Sequence, residues 1–244
     1  MTRSKIVKGL SVIIATLSTM SMVSCIESDF EETFEVSLTG YILQEKDLSK
    51  NIFTPYMFIS SNSSTFELAD VSLYGSNNNV FEFQKLNEYV YRTSGLDQLD
   101  SLTTLNGNYT FTGKAKTGEE ATGTLELSFT PADTLGDLNV ISIERTATSL
   151  RATVKEVKNG VNYGFIISPY STGNVPSRWN NHYKVVVQNP SYIYNGEFTF
   201  QMNFSKNDIA TEKARIQVFV SNHKSVYIES KEAKTYNAET DTFE

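Results

Sequence analysis

Residues 105–129 read LNGNYTFTGKAKTGEEATGTLELSF. Tyr109 leads into TFTGKA, residues 116–119 turn the chain, and ATGTLELSF runs back to Phe129. Two extended runs about a tight, Gly-containing turn make a hairpin. Successive side chains of a strand point to opposite faces, and a period of two rather than 3.6 governs the sequence from Glu32 onward. The stretch commits the chain to β-structure, and the same reading extends in both directions.

Upstream, Phe34, Val36 and Leu38 alternate with Glu35, Ser37 and Thr39, a half-buried first strand. Residues 44–55 read as a loop closing before Pro55, and YMFIS (56–60) as a short apolar strand. Phe66, Leu68, Val71 and Leu73 keep a period near two with a slip at Ala69-Asp70, where a bulge is expected. Gly75-Ser76-Asn77-Asn78-Asn79 is a loop. Val80, Phe81 and Phe83, then Tyr89, Val90 and Tyr91, give two short strands about a turn at Asn87-Glu88.

Downstream, PADTLGD (131–137) reads as a linker, with a boundary near residue 135. Beyond it the alternation is cleaner. Val140, Ser142 and Glu144 oppose Ile141 and Ile143, and Leu150, Ala152 and Val154 oppose Arg151 and Thr153. Asn159-Gly160 is a strong hairpin turn, after which Tyr163, Phe165 and Ile167 face inward. A long polar loop over 169–182 precedes a strand over 183–188. Phe198, Phe200, Met202 and Phe204 alternate with Thr199, Gln201 and Asn203. Ala214, Ile216, Val218 and Val220 face Val226 and Ile228 across a turn at Asn222. Residues 208–213 alone have helical character, enough for a single turn.

Leu105, Gly107 and Tyr109 resemble the tyrosine corner of immunoglobulin-like sandwiches, where a Tyr near the start of strand F bonds to backbone a few residues upstream. LRATVKEVKNGVNYGFIIS (150–168) is similar to the B–C hairpin of fibronectin type III domains. Val154 stands near the usual core Trp, and Ala214 or Ile216 where a strand-F Tyr is usual; cores accept such apolar exchanges. The resemblance implies an all-β fold of two tandem immunoglobulin-like or fibronectin-III-like β-sandwiches. Their spans are 33–131 and 137–236, with 237–244 as a C-terminal tail.

The N-terminal stretch sets the address. Arg3, Lys5 and Lys8 precede an apolar run, LSVIIATLSTMSMV (10–23), and then Ser24 and Cys25, the single cysteine. A basic head, a short apolar run and a small residue before the cut describe a secretory signal. The run is too short to span a bilayer, about 21 Å as helix against roughly 20 residues needed. The cut before cysteine resembles a bacterial lipoprotein signal, with 1–24 removed and Cys25 lipidated. IESDFEE (26–32) carries four acidic residues in seven, and this 25–32 tether resembles the acidic export signal of Bacteroidetes surface lipoproteins. The resemblance implies an outer-membrane, lipid-anchored, cell-surface location.

Residues 25–244 are enough for one large or two ordinary domains. The signal holds three basic and no acidic residues, so the formal charge of −7 over the whole chain becomes −10 without it. That balance argues against nucleic acid, whose affinity comes mostly from phosphates met by Lys and Arg. It also argues against a basic patch on anionic lipid. With no cysteine beyond Cys25 the folded part has no disulfide, so its stability rests on core burial.

Catalytic chemistry finds little support, and no enzyme, cofactor or metal is expected. His182 and His223 lie in loops away from any nucleophile motif, and neither HExxH nor CxxC occurs. Asp97 and Asp100 are spaced as turn residues rather than as glycosidase carboxylates. Asp133 and Asp137 lack the dense oxygen set that calcium requires. Asp100-Ser101-Leu102 and Asp133-Thr134-Leu135 each resemble the short O-glycosylation signal of exported Bacteroidetes proteins. The aromatic and amide-rich run Arg178-Trp179-Asn180-Asn181-His182-Tyr183 holds the single tryptophan. A sugar lays its CH face on an aromatic ring while amide, guanidinium and imidazole groups read its hydroxyls. Trp179, Arg178, Asn181, His182 and Tyr183 are therefore the candidate ligand-binding residues, with Trp179 capping the sandwich end as the bland alternative. Strand 183–188 spans about 20 Å, which separates Trp179 from Tyr192. The expected function is a non-catalytic binding module for glycan or another extracellular polymer. The alternative is a protein-binding assembly or adhesion component that uses sheet edges.

Overall fold

Alternating sequences make strands, and the apolar face of each decides what it packs against. A computed structural model of the chain describes residues 32–47, 50–75, 81–94, 98–169, 183–188, 196–209 and 212–243; of 169, 183–188, 198 and 208 it describes the backbone alone. Expectations for 1–31, including the signal, Cys25 and most of the tether, and for the loop after Gly75 lie outside the described residues. The described residues are all-β, with 3₁₀ turns at Leu102–Leu105, Pro131–Asp133 and Lys206–Asp208.

The first half contains β1 (Val36–Asp47), β2 (Lys50–Ser61), β3 (Leu68–Gly75), β4 (Phe83–Asn87), β5 (Val90–Thr93), β6 (Gly107–Ala115) and β7 (Glu120–Leu127). Strands β1-β2-β5-β4 lie side by side, as do β3-β6-β7. This is the four-plus-three order of a constant-type immunoglobulin sandwich. Met57 and Ile59 of one sheet meet Leu73, Tyr109 and Phe111 of the other. The expected corner is present: the buried Tyr109 hydroxyl donates to the Leu105 carbonyl at 2.8 Å. The expected bulge is also present, as a register shift between Leu68 and Asp70. Gly118 turns the β6–β7 hairpin at φ +106°, a conformation that a side chain would oppose.

The second half contains β8 (Val140–Arg145), β9 (Ser149–Lys155), β10 (Asn162–Pro169), β11 (Tyr183–Gln188), β12 (Glu197–Asn203), β13 (Lys213–Ser221), β14 (Val226–Glu229), β15 (Lys234–Asn237) and β16 (Thr242–Phe243). Here β12-β9-β8 face β11-β10-β13-β14. Leu150, Ala152, Val154 and Phe200 from the first group share a core with Phe165, Ile167, Ile216 and Val218 from the second.

Three local expectations change. The expected loop over 44–55 is instead strand, 44–47 in β1 and 50–55 in β2, with Asp47 paired to Lys50. The polarity of 44–47 and 50–51 marks an arm that leaves the core, and Pro55 is tolerated because β5 pairs β2 only from Phe58 onward. Asn159-Gly160 turns the chain, with Asn159 at φ 65°, but passes it between sheets: β9 pairs with β8 and β12, not with β10. A Cβ on Gly160 would stand 2.6 Å from the Tyr163 hydroxyl, so this corner needs glycine for closeness. Residues 237–243 are not a free tail. Tyr236 and Phe243 stack edge to face, and Asp241 accepts from the Tyr236 hydroxyl at 2.5 Å and pairs with Arg145, whose side chain is 7% exposed.

The two sandwiches meet at a built seam, and Phe34–Glu244 form one compact unit. β1 runs past its own sandwich to pair in parallel with β14, Ile42 opposite Val226 and Leu43 opposite Tyr227. The result is one ten-stranded sheet. On its outer face Tyr41 and Tyr227 meet edge to face across the seam, ring centroids 5.3 Å apart. On its inner face Ile42, Phe53, Leu102, Leu105 and Phe129 enter the second half's core, each burial contributing roughly 1.5–3 kcal/mol.

The linker runs without a strand partner; Gly136 donates to the Lys158 carbonyl at 2.9 Å, and side-chain amides meet many of its other backbone groups. Gln44, 2% exposed, donates to the Leu135 carbonyl and accepts from the Leu135 N–H, both at 2.9 Å. Asn106 does the same for Phe129. Asn159 donates to the Ala132 and Thr134 carbonyls, and Asn222 to that of Asp133. The Lys46–Asp137 ion pair at 2.8 Å is exposed on both sides, worth about 0–1 kcal/mol. The buried amides outweigh it. Gln44→Leu keeps the volume but strands two buried groups of Leu135, so urea unfolding should lose about 2–5 kcal/mol. Lys46→Ala should lose less than about 1 kcal/mol. Equal losses would contradict this ranking.

Candidate functional site

Of the residues singled out in the sequence, Cys25, Arg178, Trp179, Asn181 and His182 lie outside the described residues. Tyr183 opens β11, its backbone opposite Ile167 of β10. The ends of the intervening segment are nonetheless fixed. β10 starts at Asn162, opposite Ser221 beside the seam, and ends at Pro169, opposite Ala214. The connection to β11 therefore leaves about 23 Å from the seam. β1 begins at Val36, opposite Ser61, six residues before it reaches Val226. Entry of the chain and departure of the 170–182 segment are thus at opposite ends, roughly 45 Å apart along the strands.

The described residues form a cleft of about 440 Å³ at the seam. Three elements build it. The β1–β2 arm contributes Lys50, Asn51 and Phe53; the entry to the first 3₁₀ turn contributes Asp100, Ser101 and Leu102; the linker contributes Pro131 and Thr134. Phe53 and Leu99 exchange backbone hydrogen bonds at 2.8 and 2.9 Å, which fixes the floor. Ser101 caps its turn by accepting from the Thr103 N–H at 3.3 Å. Among the described residues the Lys50 ammonium, the Asp100 carboxylate and the Thr134 hydroxyl make no hydrogen bond or ion pair.

The two Asp-Ser/Thr-Leu tripeptides meet at this cleft, and their residues have structural work there. Leu102 and Leu135 are core, Ser101 is a cap, and Asp133 accepts from the Thr130 N–H at 2.6 Å and from Lys224 at 3.0 Å. Lys224 also donates to the Ser128 carbonyl at 2.6 Å. Asp133 and Asp137 are thus each committed to a lysine. Among the described residues no three His, Cys, Asp or Glu side chains converge on a metal position. His223 is exposed in the β13–β14 turn, and Asp97 lies outside the described residues.

Sequence reasoning missed Lys50, Asn51 and Thr134 as neighbours. Residues 44–55 read as a loop, and it takes the contacts of Gln44 with Leu135 and of Lys46 with Asp137 to bring that arm to the linker. The two tripeptides were the available signal, but nothing in their spacing places them together.

No protein-family model matches the chain, and no curated protein matches it. Among solved structures it is similar to the A168–A170 domains of titin, at 12% identity and a TM-score of 0.26, over 84% of this chain and 66% of that one. It is also similar to a pullulanase from Anoxybacillus sp. LM18-11 complexed with maltotriose, at 8% identity and a TM-score of 0.24, over 79% and 25%. At such TM-scores neither likeness bears on function. The sandwich assignment rests on strand order and the tyrosine corner.

Burial pushes the Asp133 carboxyl up, but the Thr130 amide and the Lys224 ammonium outweigh it and hold it below its ordinary value. A depressed carboxyl stabilises the fold above its unfolded pKa, about 3.9, and that contribution is lost as pH falls through the lower folded value. Urea midpoints between pH 6 and pH 2 should therefore fall less steeply in Asp133→Asn than in the wild type. Parallel curves would remove Asp133 from the linker's stabilisation.

Proposed function

We propose that the protein is a lipid-anchored, non-catalytic binding module of the outer membrane's outer face, holding a contact surface for glycan or another extracellular polymer away from the lipid. The observation that carries this reading is the polarity of the folded unit. The tether joins it at Val36, and the connection bearing Trp179 leaves it at Pro169, at the far end of the second sandwich. An acyl anchor on Cys25 puts the first end at the membrane, and two acyl chains hold where one does not. The positions flanking that connection, Pro169 and Tyr183, lie at the distal end, where a polymer arrives first, and Trp179, Arg178, Asn181, His182 and Tyr183 are the residues assigned to contact it. A charge of −10 without the signal fits a neutral or cationic polymer better than a polyanion.

A second reading, capture of a protein partner, has one observation in its favour. β8 is the outer strand of β12-β9-β8, and its Ile141 is 48% exposed beside a groove of about 390 Å³ shared with Glu232, Ala233 and Lys234. An open edge accepts a strand from a partner. Its register shift between Val140 and Ser142 weakens the case, because such bulges protect edges.

Affinity electrophoresis in gels cast with neutral polysaccharides tests the first reading. Retardation of the wild type and its weakening in Trp179→Ala are expected. Unretarded wild type, together with a specific outer-membrane protein recovered by pull-down, would favour the second. Cys25→Ala should move the protein from the membrane to the soluble fraction without detergent; persistence on the membrane would remove the anchor from the account.

A further inference from the structure

We infer that the cleft at the seam is a second binding site, separate from the distal end, and that it takes a short, neutral, hydroxyl-rich saccharide segment. This assignment rests on the glycan reading above and names a place and a ligand class for part of it.

The volume of about 440 Å³ lies within the roughly 300–1,000 Å³ of small-ligand sites. The lining has an apolar side, the exposed Pro131 ring backed by buried Phe53 and Leu102, and a polar side. On the polar side Lys50, Asp100 and Thr134 have hydrogen-bonding capacity that no described residue uses. An ammonium offers three donors, a carboxylate accepts only, and a hydroxyl does both. That set matches vicinal hydroxyls, which donate and accept from adjacent carbons, while the ring's CH face lies on the apolar side. One positive and one negative group cancel, so the cleft gives no net attraction to a phosphate or to a cation.

The walls are already held in place. Leu99 brackets Phe53 through two backbone hydrogen bonds, Ser101 is fixed by its capping role, and Asn159 holds the Thr134 carbonyl at 2.8 Å. Little order remains to be imposed when a ligand arrives, which favours affinity. Because one wall belongs to the first sandwich and one to the linker, a ligand there binds only the docked arrangement and stabilises it.

The test is a panel of neutral and acidic oligosaccharides, read by titration calorimetry on the mature lipoprotein in detergent. Wild type, Trp179→Ala, Asp100→Asn and Thr134→Arg are compared, with thermal melting as the control for folding. Asp100 is exposed, so Asp100→Asn keeps the test valid if Thr134→Arg does not fold. The inference expects a neutral oligosaccharide whose affinity falls about tenfold or more in both cleft variants, as loss of a hydrogen bond to a charged group does. The same affinity should be unchanged in Trp179→Ala. Cleft variants that bind as wild type while Trp179→Ala loses binding would overturn the cleft and leave the glycan reading standing. Loss in all three variants would overturn a separate site. Binding of acidic oligosaccharides alone would overturn the neutral ligand class. A wild type that binds no member of the panel would overturn the inference and the glycan reading together.

Discussion

The buried amide of Gln44 meets both the N–H and the C=O of Leu135, and the rest of the structure depends on that pair. An extended linker inside a folded unit presents backbone groups that water no longer reaches, and leaving them unpaired costs more than almost any surface contact returns. This chain answers with side chains. Gln44, Asn106, Asn159 and Asn222 each take over part of the ladder that a neighbouring strand would provide. The parallel pairing of β1 with β14 spans only two residue pairs; by itself it is a narrow join. With the amides, the shared apolar cluster and the edge-to-face pair Tyr41 and Tyr227, it becomes a seam closed on both faces.

A seam of this kind changes what a tandem of sandwiches is for. Domains joined by a free linker move relative to each other by default, and a site between them exists only part of the time. Here the linker is itself a wall of the seam cleft, and β1 carries the pairing that closes the seam.

Much of the fold was legible in the sequence because it rests on local rules. Period-two runs marked nearly every strand, the slip at Ala69-Asp70 marked the bulge, and Leu105-Asn106-Gly107-Asn108-Tyr109 marked the corner. What stayed hidden is non-local. Within the expected loop 44–55, residues 44–47 and 50–51 are polar because they leave one core to reach another element, and polarity reads as a loop when the destination is unknown. The break of the last strand between β14 and β15, and the return of 237–243 onto Arg145, likewise depend on partners far apart in sequence. The candidate site was legible only as two unrelated tripeptides, while the residues with the clearest ligand chemistry, around Trp179, lie outside the described part of the chain.

Cooperativity of the two sandwiches tests this account most directly. Differential scanning calorimetry of residues 25–244 should give one transition, with van't Hoff and calorimetric enthalpies equal. For the compact unit Phe34–Glu244 that enthalpy should be about 150 kcal/mol near 60 °C. Two resolved transitions, each with roughly half that enthalpy, would contradict a seam that binds the halves into one body.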